Sequence, residues 1–358
     1  MSKKQTKSEG GRPRRHMPWG DLPRAEHTAP DGIIVIDKDQ GVTSHDVVGA
    51  VRRLAGTRKV GHAGTLDPMA TGLLTIGVGK ATRLLNYLMG CNKTYRTTIC
   101  LGVSTTTEDA EGEPIFPAKE DVCPDFFKVI QRFRVGESQA DTGDNAEIYS
   151  RLRQARESLL GEIDQVPSLV SAIKIDGKRA YERVRDGEEF IIPARRICID
   201  RFDFLSELRA GPVISVGGND FPTIEIDAEV TCSAGTYIRA LARDFGATLG
   251  MPAHIRMLRR IKVGDFDVAN AYSVAQLNDI LNDKGEIPVI PLAQAAGLVM
   301  ATASISKDQK TAISFGQFIE IPEQSYPVAL VCDDELVAIG EKRGKKTRPV
   351  VVFSSRDG

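Results

Sequence analysis

The sequence predicts an α+β protein, and three observations predict it. Short apolar or alternating runs mark strands. Apolar stripes at helical spacing mark helices, and the two do not follow each other in strict β-α-β alternation. From about Ala301 onward, four short β-like runs add a small C-terminal β-rich domain.

Met1 to Pro30 mixes Lys, Arg, Gly, Pro and Ser with few apolar residues, so 1–30 reads as a disordered basic tail. Order is expected from Gly32-Ile33-Ile34-Val35-Ile36-Asp37-Lys38, a short apolar strand. Thr43 or Ser44 then caps a helix with Val47, Val48, Val51 and Leu54 on one stripe, closed by Gly56. A glycine-rich loop around Asp67 follows. Leu73 to Val78 reads as a buried strand, Ala81 to Met89 as a short helix and Tyr95 to Leu101 as a strand. Gln139 to Ala146 is acidic and poor in apolar residues, which suggests an exposed insertion near 136–157. Thr223 to Cys232 alternates polar and apolar residues, the pattern of a strand with one wet face. Thr236 to Leu249 is a helix ended by Gly250. The closing β-like runs are Phe318–Ile321, Val328–Val331, Leu336–Ile339 and Val350–Phe353. The expected division is a main domain over 31–295 and a β domain over 296–358.

The chain has 358 residues, is 41% hydrophobic and carries a net charge of -1, so overall charge points to no partner. The distribution says more. Val47 to Arg96 holds eight Lys and Arg residues besides Asp67, and Thr231 to Gly264 is also basic. Glu108 to Glu147 is acidic. Basic segments that converge in a fold can make a nucleic-acid face. The six cysteines form no Cys-x-x-Cys pair and the five histidines are scattered. That pattern fits reduced thiols in a cytoplasmic protein without a structural zinc site. No apolar run approaches membrane-spanning length.

Asp67 is the lone carboxylate in that first basic stretch, within Gly61-His62-Ala63-Gly64-Thr65-Leu66-Asp67-Pro68-Met69-Ala70-Thr71-Gly72. It reads as a nucleophile or general base, or as a turn carboxylate bonded to local backbone. On local spacing the turn is the commoner case. Arg239 opens a helix, where a cation opposes the helix dipole, and this misfit hints at a partner carboxylate or phosphate. Tyr95 at a strand start suits base stacking or proton transfer, or is a half-buried strand aromatic. His62 in the loop can hold a flipped base or is simply polar, and Lys38 after its strand can touch phosphate or merely end the strand. Gly77-Val78-Gly79-Lys80-Ala81-Thr82 lacks phosphate-loop spacing, which excludes an NTPase reading.

Together the segments Asp37-Lys38-x-x-Gly41-x-x-Ser44, Gly61-His62-x-Gly64-x-Leu66-Asp67-Pro68-x-Ala70-Thr71-Gly72, Lys93-x-Tyr95-Arg96, Pro167-Ser168-x-x-Ser171-Ala172-x-Lys174, Gly235-Thr236-Tyr237-Ile238-Arg239 and Leu258-Arg259-Arg260 resemble the TruB-type family of bacterial tRNA pseudouridine-55 synthases. The resemblance runs in order from about Gly32 to Val263. It implies the pseudouridine synthase catalytic fold, with a mixed, largely antiparallel central sheet. Asp39 stands where a proline is frequent, and an insertion precedes Glu162. The C-terminal part is not a clear PUA barrel, and looks more like the short β domain of actinobacterial members.

The implied reaction turns a uridine of the tRNA T stem-loop into pseudouridine without cofactor or metal, with no membrane and no obligatory protein partner. Asp67 would attack C1′ or remove a sugar proton, and Arg239 would keep it ionised and oriented. Tyr95 would stack on the uracil and help remove the C5 proton. His62 would fill the vacated space or prop the flipped base. Tyr237 would pack beside the site, Leu258 would supply an apolar wall, and Lys38 would support the loop or the RNA backbone. Two other readings are an RNA-binding protein whose isomerase activity is dispensable, and a relative that works within a guide-RNA particle.

Overall fold

The computed structural model describes residues 17–115, 143–170, 174–175, 178–180, 183, 186–188, 190–216, 219–322 and 325–353. The main domain begins with β1 (Gly32–Lys38), α1 (Ser44–Leu54), β2 (Val60–Ala63), β3 (Thr71–Val78), α2 (Leu85–Gly90) and β4 (Lys93–Leu101). It continues with α3 (Gly143–Glu157), β5 (Gly161–Gln165), β6 (Arg195–Phe204), β7 (Ile224–Cys232), α4 (Ile238–Leu249), β8 (Ala253–Val263), α5 (Val274–Lys284), β9 (Ile290–Pro291) and α6 (Leu292–Gly297). The sheet runs β9-β1-β3-β8-β4-β7-β6-β5, with β2 beside β3. Each of these pairs is antiparallel except β3 with β8. The expected mixed, largely antiparallel sheet is therefore present.

The alternation of each strand divides the core in two. Ile34 and Ile36 of β1, Leu74 and Ile76 of β3, Ile226 and Val230 of β7 and Leu258 of β8 face one side. Val47 and Val51 of α1, Leu241 and Phe245 of α4 and Leu277 of α5 cover them. On the other side Ile33, Val35 and Leu73 meet Leu85 and Leu88 of α2 and Ala295 and Ala296 of α6. Ala329, Leu336 and Ile339 of the C-terminal sheet, and Phe353 just past its last strand, join this second core. That sheet comprises β10 (Ala301–Ser304), β11 (Val328–Cys332), β12 (Glu335–Arg343) and β13 (Lys346–Val352), with α7 (Lys307–Ser314) between β10 and β11.

Four expectations change. Residues 17–30, placed in a tail, are held on the core. Leu22 is buried, Arg53 donates to its carbonyl at 2.8 Å, and the amides of Ala25 and Ala29 donate to Arg53 and Ala55. Residues 1–16 lie outside the described residues. The single helix expected over Ala81 to Met89 is a 3₁₀ turn over Gly79–Arg83 followed by α2. The proposed insertion includes α3, whose Ile148, Leu152 and Ala155 are buried in the first core. Its residues 136–142 lie outside the described residues. The run Phe318–Ile321 forms one bridge, Ile319 with Thr347, rather than a strand.

Candidate active site

The loop between β2 and β3 is built from beneath. The Ser44 hydroxyl, in the first turn of α1, accepts from the Leu66 amide at 2.9 Å and donates to the Leu66 carbonyl at 3.1 Å. The buried Lys38 ammonium donates to the carbonyls of Val42, Asp39 and Pro68 at 2.8, 3.0 and 3.3 Å. The Gly41 backbone N–H donates a further hydrogen bond to the Pro68 carbonyl at 2.8 Å. Gly72 has φ +96°, and a Cβ there would lie 2.2 Å from the Arg260 carbonyl oxygen. A side chain at this position would therefore block the parallel contact between β3 and β8.

Asp67 occupies the turn read from the sequence, since its carbonyl accepts the Ala70 amide at 3.1 Å. Its carboxylate has a further partner. Oδ2 lies 3.0 Å from Nε of Arg239, and the Asp67 side chain is 39% exposed while that of Arg239 is 4% exposed. One member of the pair is thus fixed and dry, and the other is open to solvent. The rest of the guanidinium is occupied. Nη1 donates to the Thr107 carbonyl at 2.7 Å and to Ser168 Oγ at 3.2 Å, and Nη2 donates to the Val170 carbonyl at 2.9 Å. The buried Asp109 carboxylate stands 3.7 Å from Nη1. Asp109 is itself held by the Thr107 hydroxyl at 2.5 Å and the Glu111 amide at 3.0 Å. These two carboxylates offset the cost of a cation at the start of α4.

Gln165, at the end of β5, clasps the residue that caps α4. Its Oε1 accepts the Tyr237 amide at 2.9 Å and its Nε2 donates to the Tyr237 carbonyl at 3.1 Å. The Tyr237 ring packs in a small cluster with Ala180 and Ile192. Tyr95 lies on β4, opposite Arg260 of β8, and is buried. Burial pushes its hydroxyl pKa up, the Arg260 guanidinium opposes that, and the Asp67 charge adds to the rise. Leu258 lies on the same face of β8 and shares the first core with Tyr95 and Leu66. His62 sits on β2 rather than in the loop. Burial, then Arg260 and His45, lowers its pKa, which favours the neutral ring, and its Nδ1 is buried with no hydrogen-bond partner among the described residues.

Three cations lie behind this surface. Burial pushes Lys38 down to about 8 although Asp39, Asp67 and Glu111 oppose it. Burial and the nearby Arg260 push Lys93 down to about 8. Arg260 is almost fully buried and donates to the carbonyls of Leu73 at 2.7 Å and Gly64 at 3.0 Å. The Glu111 carboxyl is raised by burial and by Asp109 and Asp67, and is opposed by Lys38 and Arg239.

Several cations of the basic stretch around Asp67 are already engaged within the fold. Arg52, Arg53, Lys80, Arg83 and Lys93 donate to backbone carbonyls, and Arg96 pairs with Glu229. Arg256 and Arg259 of the second basic segment pair with Glu225 and Asp37. Sequence reasoning assigned no role to Asp109, Gln165, Ser168, Lys93 or Arg260. Ser168, Lys93 and Arg260 stood within the matched motifs. Asp109 stood within an acidic run that looked solvated.

Comparison with known proteins gives two family matches. TruB family pseudouridylate synthase (N terminal domain) matches residues 52–142 and 131–238. The tRNA pseudouridylate synthase B C-terminal domain matches residues 239–289. A tRNA pseudouridine synthase B of Arthrobacter sp. (strain FB24) is 44% identical over 335 residues, covering 90% of this chain and 96% of the relative. That of Thermobifida fusca (strain YX) is 43% identical over 325 residues, covering 90% and 99%. Among solved structures, a Cbf5-Nop10-Gar1 complex contains a chain 22% identical with a TM-score of 0.61, and 94% of each chain is covered. An H/ACA RNP bound to a substrate RNA containing 2'-deoxyuridine contains one 21% identical with a TM-score of 0.59, covering 91% of this chain and 86% of the other. These structures share the fold.

Proposed function

The chain belongs to the TruB family of pseudouridylate synthases and is a tRNA pseudouridine synthase, and on that premise we propose that it isomerises uridine 55 of the T loop, with Asp67 as the acting carboxylate. The observation that carries the assignment to Asp67 is its ion pair with Arg239, 3.0 Å long and exposed on the Asp67 side alone. A carboxylate next to a fixed guanidinium is kept charged and aimed without being closed off from substrate.

In the proposed sequence the target nucleotide leaves its stack and enters the cleft. Asp67 then attacks C1′ or takes a sugar proton, and both routes break the N1–C1′ bond. The freed uracil turns over and a C5–C1′ bond forms, as the Asp67–C1′ ester breaks in the first route or as Asp67 returns the sugar proton in the second, and C5 loses its proton while N1 gains one. Atoms and electrons balance within the nucleoside, so the reaction as written requires no redox partner. Tyr95 stacks on the base and assists the proton removal at C5. Leu258 walls the base and Tyr237 packs beside it. His62, as a neutral ring, props the extruded nucleotide or fills its former place. Lys38 acts from beneath the Asp67 loop. We take 31–295 as the unit that performs this reaction. No helix among the described residues is long and apolar enough to cross a membrane. A cytoplasmic enzyme acting on tRNA without an obligatory protein partner is the setting we propose.

The test is a nucleoside digest of an unmodified tRNA transcript after incubation with the pure protein. Wild type should yield one pseudouridine per transcript, and Asp67→Ala should yield none while binding the transcript with nearly unchanged affinity. Product from Asp67→Ala would remove Asp67 from the chemistry.

A further inference from the structure

Arg260 is a buried cation without a buried counter-charge. It is 1% exposed, as dry as the apolar core. Nε donates to the Leu73 carbonyl at 2.7 Å and Nη2 to the Gly64 carbonyl at 3.0 Å. Among the described residues, no carboxylate lies within ion-pair distance of its guanidinium. Arg239, similarly enclosed, meets the carboxylates of Asp67 and Asp109. Burying a charge is costly unless an opposite charge joins it. Two carbonyls can be capped by a neutral donor, so hydrogen bonding alone does not account for a charge at this position.

Strand β8 brings that charge to Tyr95. Arg260 and Tyr95 are Cα partners across the antiparallel pair of β8 and β4, so both side chains leave the sheet on one face. Leu258 is on that face too, while Arg259 turns away to Asp37. The Tyr95 hydroxyl lies within hydrogen-bonding reach of the Arg260 guanidinium. Nη1 backs onto Gly64 of the Asp67 loop, where a Cβ would stand 3.3 Å from it. The bonds to Leu73 and Gly64 hold two of the three nitrogens, so the guanidinium is fixed before substrate arrives.

We propose that Arg260 is a positioning residue of the reaction, which holds the Tyr95 hydroxyl and stabilises the negative charge its oxygen carries while it removes the C5 proton. The inference rests on the reading of Tyr95 as the group that acts at C5, and deepens it. Once the C5–C1′ bond has formed, C5 carries both its proton and C1′. Solvent takes the hydroxyl proton of Tyr95, and the resulting phenolate takes the proton of C5. The electron pair of that C–H bond re-forms the C5–C6 double bond, the N1–C6 double bond opens onto N1, and N1 accepts a proton from solvent. Tyr95 ends as it began, and nothing is oxidised or reduced. A fixed cation beside a developing phenolate counts for far more in a dry site than in water. A carboxylate paired with Arg260 would cancel that field at the Tyr95 oxygen.

The experiment is a double-mutant cycle in the full chain. Arg260→Lys and Arg260→Gln are each made alone and on Tyr95→Phe. Saturated single-turnover isomerisation and affinity are measured on an unmodified tRNA transcript, and denaturant melts establish that each variant is folded. Arg260→Lys should lower the rate about tenfold and Arg260→Gln about 100-fold, with tRNA affinity held within a few fold. On Tyr95→Phe the same changes should alter the rate less than about twofold, because the group they act through is gone. Each Arg260 variant closes its own cycle, so failure of one to fold leaves the other. Replacing Tyr95 with difluorotyrosine, whose phenol ionises more readily, should restore part of the rate lost in Arg260→Lys. Equal losses in both backgrounds overturn the proposal, since Arg260 would then serve only to staple Leu73 and Gly64. A wild-type rate in either folded Arg260 variant overturns it too. Tyr95→Phe at the wild-type rate would overturn the premise about Tyr95, and the inference with it. Wild-type protein inactive on tRNA would overturn the functional reading, a result separate from a failed cycle.

Discussion

At the residue scale, Asp67 and Arg239 carry different burdens. Arg239 spends its donors on Asp67 Oδ2, the Thr107 and Val170 carbonyls and Ser168 Oγ. A lysine offers one charged point in place of a planar fork. Breaking a buried charge network costs about 3–5 kcal/mol, which is about 10²- to 10⁴-fold in rate if it falls on the chemical step. Arg239→Lys should therefore lower single-turnover isomerisation by that factor, with a smaller change in tRNA affinity, and an unchanged rate would count against it. Tyr95→Phe keeps the ring and loses the hydroxyl. Turnover should drop about 100-fold or more while binding holds within a few fold, and equal losses in both would favour a binding role. The sequence allowed the pairing to be suspected for one physical reason: a cation at a helix start needs an opposing charge. It did not give the partner, because Asp67 and Arg239 are far apart in the chain. The family resemblance supplied that link. Asp109 stayed hidden because an acidic run does not disclose which of its members turns inward.

At the element scale, the loop owes its shape to neighbours that precede it in the chain. The buried Leu66 peptide has both its polar groups bonded to one hydroxyl, Ser44 Oγ. Ser44→Ala leaves a buried donor and acceptor unpaired, which costs about 1–3 kcal/mol. Denaturant unfolding should register that loss, and isomerisation should fall more than tRNA binding because Asp67 follows Leu66 directly. Full activity with the stability loss present would show that the loop needs no such anchor. Strand positions were legible where alternation is clean, as in Ile224–Cys232, whose even-numbered residues are buried. The helix Lys307–Ser314 was missed although its signal was present, Ser306 followed by Gln309 in a capping box. The run Phe318–Ile321 looked like a strand because its composition is right. It forms a single bridge with Thr347, and Pro322 follows it directly. Cation-rich stretches were only partly legible for a related reason: charge is visible in a sequence and its destination is not. Five of those side chains serve as caps on carbonyls.

At the scale of the whole molecule, the sheet separates two apolar cores, and the fold also buries three cations, Lys38, Lys93 and Arg260. Lys93 shows what this costs. It is 6% exposed, donates to the carbonyls of Met89 and Cys91, and is pushed down to about 8 by burial and by Arg260, while Cys91 and Cys232 pull the other way. In an unfolded chain a lysine titrates near about 10.4. Below pH 8 it is charged in both states. Between about 8 and 10.4 the folded protein has released the proton and the unfolded chain has not, so the unfolded state binds more protons and stability rises with pH. The contribution is complete above about 10.4 and is lost as pH falls through 8. Cys100 and Cys232 act in the opposite sense, because burial raises them to about 11 and about 12 and the unfolded chain loses those protons first. The raw pH curve therefore mixes opposing slopes, and a difference isolates the lysine. Wild-type stability minus that of Lys93→Met, from denaturant melts at fixed salt, should climb between pH 8 and 10.4 by up to about 3 kcal/mol. A flat difference would mean that the ammonium keeps its ordinary proton affinity inside the fold. The charge at Lys93 would then persist well above pH 8 instead of fading there.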